Sequence, residues 1–165
     1  MNSAISRNIR TAMDTSILFD LLLGRSPEFE RAKLAIQGAS QEGALICSDI
    51  VYAELAAYFR NEADVASFLG DFRIKRIPFT EQALMLAARA WKAYTSKKPR
   101  KLQCSRCGAA VEALCPKCGS MVSVRQHILT DFLIGAHAEA MGCRLLTRDR
   151  GYYRQYFPDL NVIEP

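Results

Sequence analysis

Leu129-Thr130-Asp131-Phe132-Leu133-Ile134-Gly135-Ala136-His137-Ala138-Glu139-Ala140-Met141-Gly142, followed by Cys143-Arg144-Leu145-Leu146-Thr147-Arg148-Asp149-Arg150-Gly151, decides the fold class. Its first part has apolar residues at helical spacing, opens on an acid and stops at a glycine, so a helix is expected over 131–141. Its second part is a short apolar run, 143–147, that ends in a turn-forming cluster and is expected to be a buried strand.

The same alternation runs through the rest of the chain. Residues 10–13 read as a first strand leading into Asp14, and 16–23 as a helix with Ile17, Leu18, Leu21 and Leu22 on one face, stopped by Gly24. Ser26-Pro27-Glu28 starts a helix expected to reach about Gly38, with a capping serine, proline at the first helical position and an acid in the first turn. A buried strand is expected over 44–47. Ser48-Asp49 then opens a helix to about Arg60 with Val51, Leu55 and Tyr58 facing the core, and a further helix covers 62–70. A third strand is expected over 73–79, and a helix over 81–95 with Leu84, Ala88, Trp91 and Thr95 at helical spacing. A last short strand falls at 161–163. Helices alternating with strands predict an α/β fold, a parallel sheet with helices on both faces.

Composition sets limits on function. The chain has 165 residues, 50% of them apolar and 24% charged, which suits a folded domain rather than a disordered chain. No apolar stretch approaches a membrane span, and 1–10 has no apolar core of a signal peptide. The expectation is therefore a cytoplasmic protein with no membrane partner. The net charge of +5 is concentrated. Between 97 and 125 seven basic residues (Lys97, Lys98, Arg100, Lys101, Arg106, Lys117 and Arg125) face one acid, Glu112. Such a local surplus suits a polyanion such as RNA, or a solvated linker.

Four of the six cysteines form two copies of one motif, Cys104-Ser-Arg-Cys107-Gly and Cys115-Pro-Lys-Cys118-Gly. In a reducing compartment such pairs point to metal rather than disulfides. Two thiolates on each tight turn give four sulfurs, a closed tetrahedral structural Zn²⁺ site without an open position for catalysis. Residues 97–122 are thus expected to be an inserted zinc-binding module, and 1–96 with 123–165 one domain around it. Cys47 and Cys143 stand alone in apolar runs and read as buried thiols.

Several acids sit where predicted strands end or helices begin. In open parallel sheets, ligands bind beyond the carboxyl ends of the strands. Asp14 follows the first strand and Asp149 the strand over 143–147. Asp131 opens its helix, and Glu54 interrupts an apolar run from Val51 to Phe59, where an acid needs a partner or a metal. Clustered carboxylates repel unless a cation joins them. Hard oxygen donors of this kind suit Mg²⁺ acting on a phosphodiester. Taken singly, Asp14 and Asp131 also fit helix caps, Asp149 a turn, and Glu54 an ion pair with an arginine.

These residues carry a resemblance. Met13-Asp14-Thr15-Ser16-Ile17-Leu18, Tyr52-Ala53-Glu54-Leu55, the stretch from Leu129 to Ala138, and Leu145 to Gly151 resemble the motifs of PIN-domain ribonucleases, in particular VapC-like toxins of type II toxin–antitoxin pairs. The resemblance covers roughly 10–95 and 123–165. It implies a three-layer α/β/α sandwich with sheet order 3-2-1-4-5, Mg²⁺- or Mn²⁺-dependent endoribonuclease activity, an RNA substrate, a cognate antitoxin and a homodimer. Asp14, Glu54, Asp131 and Asp149 fall on the family's acidic positions, and Ser16 and Thr147 on positions that support the site by hydrogen bonding. His137, six residues past Asp131, falls on another face of the helix and reads as structural. The cysteine-rich stretch departs from the family, whose ordinary members have a short connection there. A PIN nuclease of RNA processing and a catalytically silent, zinc-dependent nucleic-acid-binding module are the other readings.

Overall fold

The computed structural model describes residues 9–24, 27–96, 102–103, 110–120, 122, 129–149 and 151–165. The described elements alternate as expected. They are β1 (Thr11–Met13), α1 (Thr15–Leu23), α2 (Pro27–Glu42), β2 (Leu45–Cys47), α3 (Asp49–Ala56), α4 (Glu62–Asp71), β3 (Ile74–Arg76), α5 (Glu81–Thr95), the short strands β4 (Leu102–Gln103) and β5 (Ala110–Val111), α6 (Leu129–Ala140), β6 (Arg144–Leu146), α7 (Tyr152–Tyr156) and β7 (Val162–Ile163).

Five strands form one sheet in the order β3-β2-β1-β6-β7, every neighbouring pair parallel. Counted among its own strands this is the expected order 3-2-1-4-5. β4 and β5 pair antiparallel in a separate hairpin with Leu102 opposite Val111. The chain moves outward from β1 through β2 to β3, returns to β6 beside β1, and moves outward again to β7. Right-handed crossovers then place α1 to α4 on one face and α5 to α7 on the other, giving three layers. The direction of winding reverses between β1 and β6, so a crevice opens there beyond the strand ends.

The central strands β1, β2 and β6 are short and largely apolar because both faces are covered, whereas the edge strand β3 exposes Lys75 and Arg76. Ala12, Met13, Leu45, Ile46, Cys47, Leu145 and Leu146 are all buried. Local chemistry fixes three of the helix starts. The side chains of Ser48, Asn61 and Thr80 accept the backbone N–H groups of Val51, Asp64 and Ala83, satisfying donors that a helix start leaves free. His137 is buried, its Nε2 lies 2.9 Å from the Ile77 carbonyl oxygen and its ring meets Phe79 edge-on. It therefore ties α6 to the chain beyond β3, and its structural reading holds. Cys47 and Cys143 are buried thiols. Burial pushes Cys47 up to about 12, which rules it out as a nucleophile at neutral pH.

Some expectations need correction. α2 runs past Gly38 to Glu42, and its expected cap, Ser26, lies outside the described residues. α3 stops at Ala56 rather than near Arg60; tight turns follow, with Tyr58 N–H on Leu55 O and Phe59 N–H on Ala56 O. Phe59 packs on Phe68, so Phe59 takes the inward place and Tyr58, expected in the core, is 63% exposed. The third strand starts at Ile74, because Arg73 has φ 55, a left-handed conformation that cannot continue a strand. On α5 the buried face is Ala83, Ala87 and Ala90, while Leu84 is exposed. The alanines let α5 lie close to α6, where larger residues would hold it off. The helix α7 was not expected, since five residues carry too little periodicity to read. Among the described residues no helix is long and apolar enough to cross a membrane.

α6 also packs closely against α7. A Cβ added at Gly135 would lie 2.6 Å from the Phe157 ring and 2.8 Å from the Tyr153 ring, and both rings are buried. Gly135→Ala is expected to cost about 1–3 kcal/mol through overpacking. Gly38→Ala, with nothing within 4 Å of the added methyl, should instead gain up to about 1 kcal/mol of helix propensity. Denaturant midpoints of the two variants check this, and equal shifts would contradict the packing described.

Candidate active site

The crevice at the reversal point is a cleft of about 670 Å³ lined by Asp14, Glu54, Asp131 and Asp149, together with Thr15, Ser16, Phe19, Tyr58 and Arg148. The four acids come from different parts of the chain. Asp14 leaves β1 and becomes the N-cap of α1, and its backbone N–H bonds Leu146 O at 3.0 Å. Asp149 follows β6. Asp131 lies in the first turn of α6, and Glu54 lies on α3. Parallel pairing of β1 with β6, Met13 opposite Leu146, is what brings the first two together.

Asp14 is held by several hydrogen bonds. It is buried, and its Oδ2 accepts hydrogen bonds from Ser16 Oγ at 3.0 Å and from Thr147 Oγ1. Thr147 Oγ1 also accepts the Asp149 backbone N–H at 3.0 Å. One hydroxyl thus links the two acids at the ends of β1 and β6. Burial raises the Asp14 carboxyl above the usual 3.8, and the bonds from Thr147 and Ser16 offset this only in part. Glu54 accepts a hydrogen bond from Thr15 Oγ1, so α1 orients a carboxylate on α3. Asp149 Oδ1 accepts the Gly151 N–H at 3.1 Å, a local turn that aims its side chain.

Asp49, two residues past the end of β2 and the first residue of α3, shows the contrast. Its Oδ1 pairs with Arg76 at 3.1 Å and its Oδ2 accepts the Phe79 N–H at 3.2 Å, so it fastens β2 to β3 and has no place among the cleft residues. Arg148 brings a positive charge to the cleft wall. Its Nε lies 3.2 Å from Oδ2 of the buried Asp20, which anchors it at the rim.

The donor set fits a hard divalent cation. Four carboxylates offer only oxygen, and the charge they bring together is costly without a counter-ion. Among the described residues no three His, Cys, Asp or Glu side chains converge closely enough to grip one ion directly. Mg²⁺ suits such a spacing because it keeps several of its waters and uses few direct protein ligands.

The cysteine module is described only in its second half. Cys104 and Cys107 lie outside the described residues, as do Lys97, Lys98, Arg100, Lys101, Arg106 and Arg125. Cys115 and Cys118 share a tight turn in which Gly119 N–H bonds Cys115 O at 2.9 Å and Cys115 N–H bonds Ser120 O at 2.8 Å. Gly119 has φ 69, a conformation that glycine adopts without strain. Hydrogen bonds from Ser120 and Cys115 lower the Cys118 thiol below its usual value.

The sequence reading missed Thr15, Phe19, Tyr58 and Arg148 as cleft residues. The hydroxyl beside Asp14 was the one legible signal, for Thr15. Tyr58 was assigned to the core because helical spacing was carried past the true end of α3.

Comparison with known proteins agrees with the fold. The PIN domain family matches residues 12–158. No curated protein matches the chain. Among solved structures, VapBC2 from Rickettsia felis bound to a DNA fragment from its promoter is 16% identical, with a TM-score of 0.61 over 94% of this chain and 98% of that one. VapBC-1 from nontypeable Haemophilus influenzae is 19% identical, with a TM-score of 0.61 over 94% of this chain and 98% of that one. VapC20 of Mycobacterium tuberculosis, a Sarcin-Ricin loop cleaving toxin, is 16% identical, with a TM-score of 0.51 over 88% of this chain and 94% of that one. At these identities the likeness is one of fold.

The buried Asp14 gives a test that needs no substrate. Its folded value is raised, so the folded chain holds this proton more tightly than the unfolded chain. That contribution favours folding at low pH and is lost as pH rises through the folded value. In EDTA at about pH 7, Asp14→Asn should melt at or above the parent, and the gap should close as pH falls towards about 4. Thermal melts across that range check it; a variant that melts well below the parent at neutral pH would contradict the burial cost.

Proposed function

Because this chain belongs to the PIN domain family, we propose that it is an endoribonuclease that hydrolyses RNA phosphodiester bonds with a divalent metal, Mg²⁺ or Mn²⁺, held by Asp14, Glu54, Asp131 and Asp149. The observation that carries this reading is the shared cleft: four acids from separate elements line one crevice at the reversal point of the sheet.

The chain's own residues divide the work. Ser16 and Thr147 hold the Asp14 carboxylate in one orientation, and Thr15 does the same for Glu54. Asp131 projects from the first turn of α6, where the N-terminal end of the helix favours a negative charge. Bound among these oxygens, the metal would supply an activated water and neutralise charge on the phosphate. Arg148 at the rim offers the entering phosphate a cation in a cleft whose other charges are negative.

The structural relatives include toxin–antitoxin complexes, which favours reading this chain as the toxin of such a pair, blocked by a cognate antitoxin and acting as a homodimer. A second site is favoured by the Cys115–Cys118 turn, with its positive-φ Gly119. We propose that these two thiols complete a structural Zn²⁺ site with Cys104 and Cys107, which folds the 97–122 insert.

Purified protein incubated with RNA should cleave it when Mg²⁺ or Mn²⁺ is added and not in EDTA. Asp131→Asn and Asp149→Asn should each lower kcat/KM by at least about a hundredfold while melting like the parent. Cleavage that persists in EDTA, or parental rates in both variants, would overturn the nuclease assignment. Elemental analysis of the same preparation should find one zinc per chain that Cys115→Ser removes; a zinc-free parent would overturn the second site.

A further inference from the structure

We propose that Tyr58, backed by Phe19, is a stacking platform for an unpaired nucleobase next to the phosphate that is cut. The proposal rests on the nuclease reading and deepens it. The platform joins α1 to the turn beyond α3. Phe19 lies four residues after Thr15 on α1, so the two share a helix face. Thr15 binds Glu54 on α3, and the Phe19 ring meets that of Tyr58, on the turn that follows α3, with centroids 4.6 Å apart and planes tilted by 59°. Both rings line the same cleft as the four acids.

The rings serve different purposes. Phe19 is half-buried against the core, while Tyr58 is 63% exposed. Burial was open to an aromatic residue in this turn, as the adjacent Phe59 shows by packing on Phe68. Tyr58 instead presents a ring to the cleft, held in place by its tilted contact with Phe19. The carboxylate end of the cleft repels a polyanion unless metal and Arg148 intervene, so binding energy from an uncharged part of the substrate is needed there. A base supplies it by stacking, which every base can do and which requires that the base be unpaired. A tyrosine ring offers a large rigid face at small entropic cost.

The test uses the full chain with Mg²⁺ and compares a short single-stranded RNA with the same strand annealed to its complement. The parent should cleave the single strand and spare the duplex. Tyr58→Phe should retain kcat/KM within about twofold, since stacking needs the ring and not the hydroxyl. Tyr58→Ala should lower kcat/KM for the single strand roughly 5- to 150-fold, the range expected for one lost base–aromatic stack. An abasic residue beside the cut should weaken cleavage by the parent to a similar extent and have little further effect on Tyr58→Ala. Full activity in Tyr58→Ala, or an abasic penalty unchanged by that substitution, would overturn the platform while leaving the nuclease assignment in place. The first of these results, with loss of a protein partner from Tyr58→Ala, would assign the ring to docking. A parent that cleaves neither RNA would overturn the nuclease assignment itself, and the platform with it.

Discussion

Asp14 is a carboxylate at the end of a buried strand, and most of the architecture around the cleft answers to that fact. Removing a carboxylate from water costs several kcal/mol unless hydrogen bonds or a counter-ion replace the lost solvation. The chain supplies part of the compensation through Ser16 and Thr147, and the carboxyl still stays above its usual value. A cation between the strand ends would complete the compensation, and under the proposed function the other three acids along the cleft would be its co-ligands. The parallel pairing of β1 and β6 is then more than a fold detail. It sets Asp14 beside Thr147, and through Thr147 it fixes the backbone that carries Asp149.

Much of this was legible in the chain of residues. The order of helices and strands follows from apolar runs punctuated by Gly24, Gly142 and the helix-opening pair Ser48-Asp49. The site acids stood out because Asp14 and Asp149 follow strands, Asp131 opens a helix and Glu54 interrupts an apolar run. The misreadings have a common cause. Helical periodicity says that a face exists, not where a neighbouring helix will press on it. On α5 close approach to α6 selected the alanine face over the one bearing Leu84, and beyond α3 a tight turn exchanged the places of Tyr58 and Phe59. The roles of Thr15 and Arg148 depend on partners far along the chain, Glu54 and Asp20, and no local pattern announces such pairs.

Under the proposed function the Phe19–Tyr58 pair and the four carboxylates would act together: the acids, with metal, would handle the phosphate, and the exposed ring would face the base beside it. The cysteine module enters the chain just before the helix that bears Asp131. Its basic residues would add phosphate contacts that carry no base information, which complements a platform that accepts any unpaired base.

The most direct test of the account is to locate the metal. Crystals soaked in Mn²⁺ should show anomalous scattering within the cleft, with at least two of Asp14, Glu54, Asp131 and Asp149 ligating the ion directly at about 2.0–2.3 Å and others reaching it through water, close to the spacing expected of hard oxygen donors. The signal should vanish in Asp14→Asn crystals. A well-ordered cleft without Mn²⁺ at millimolar concentrations, or an ion bound elsewhere with Asp14 uninvolved, would contradict the claim that a buried carboxylate at the strand end organises the site.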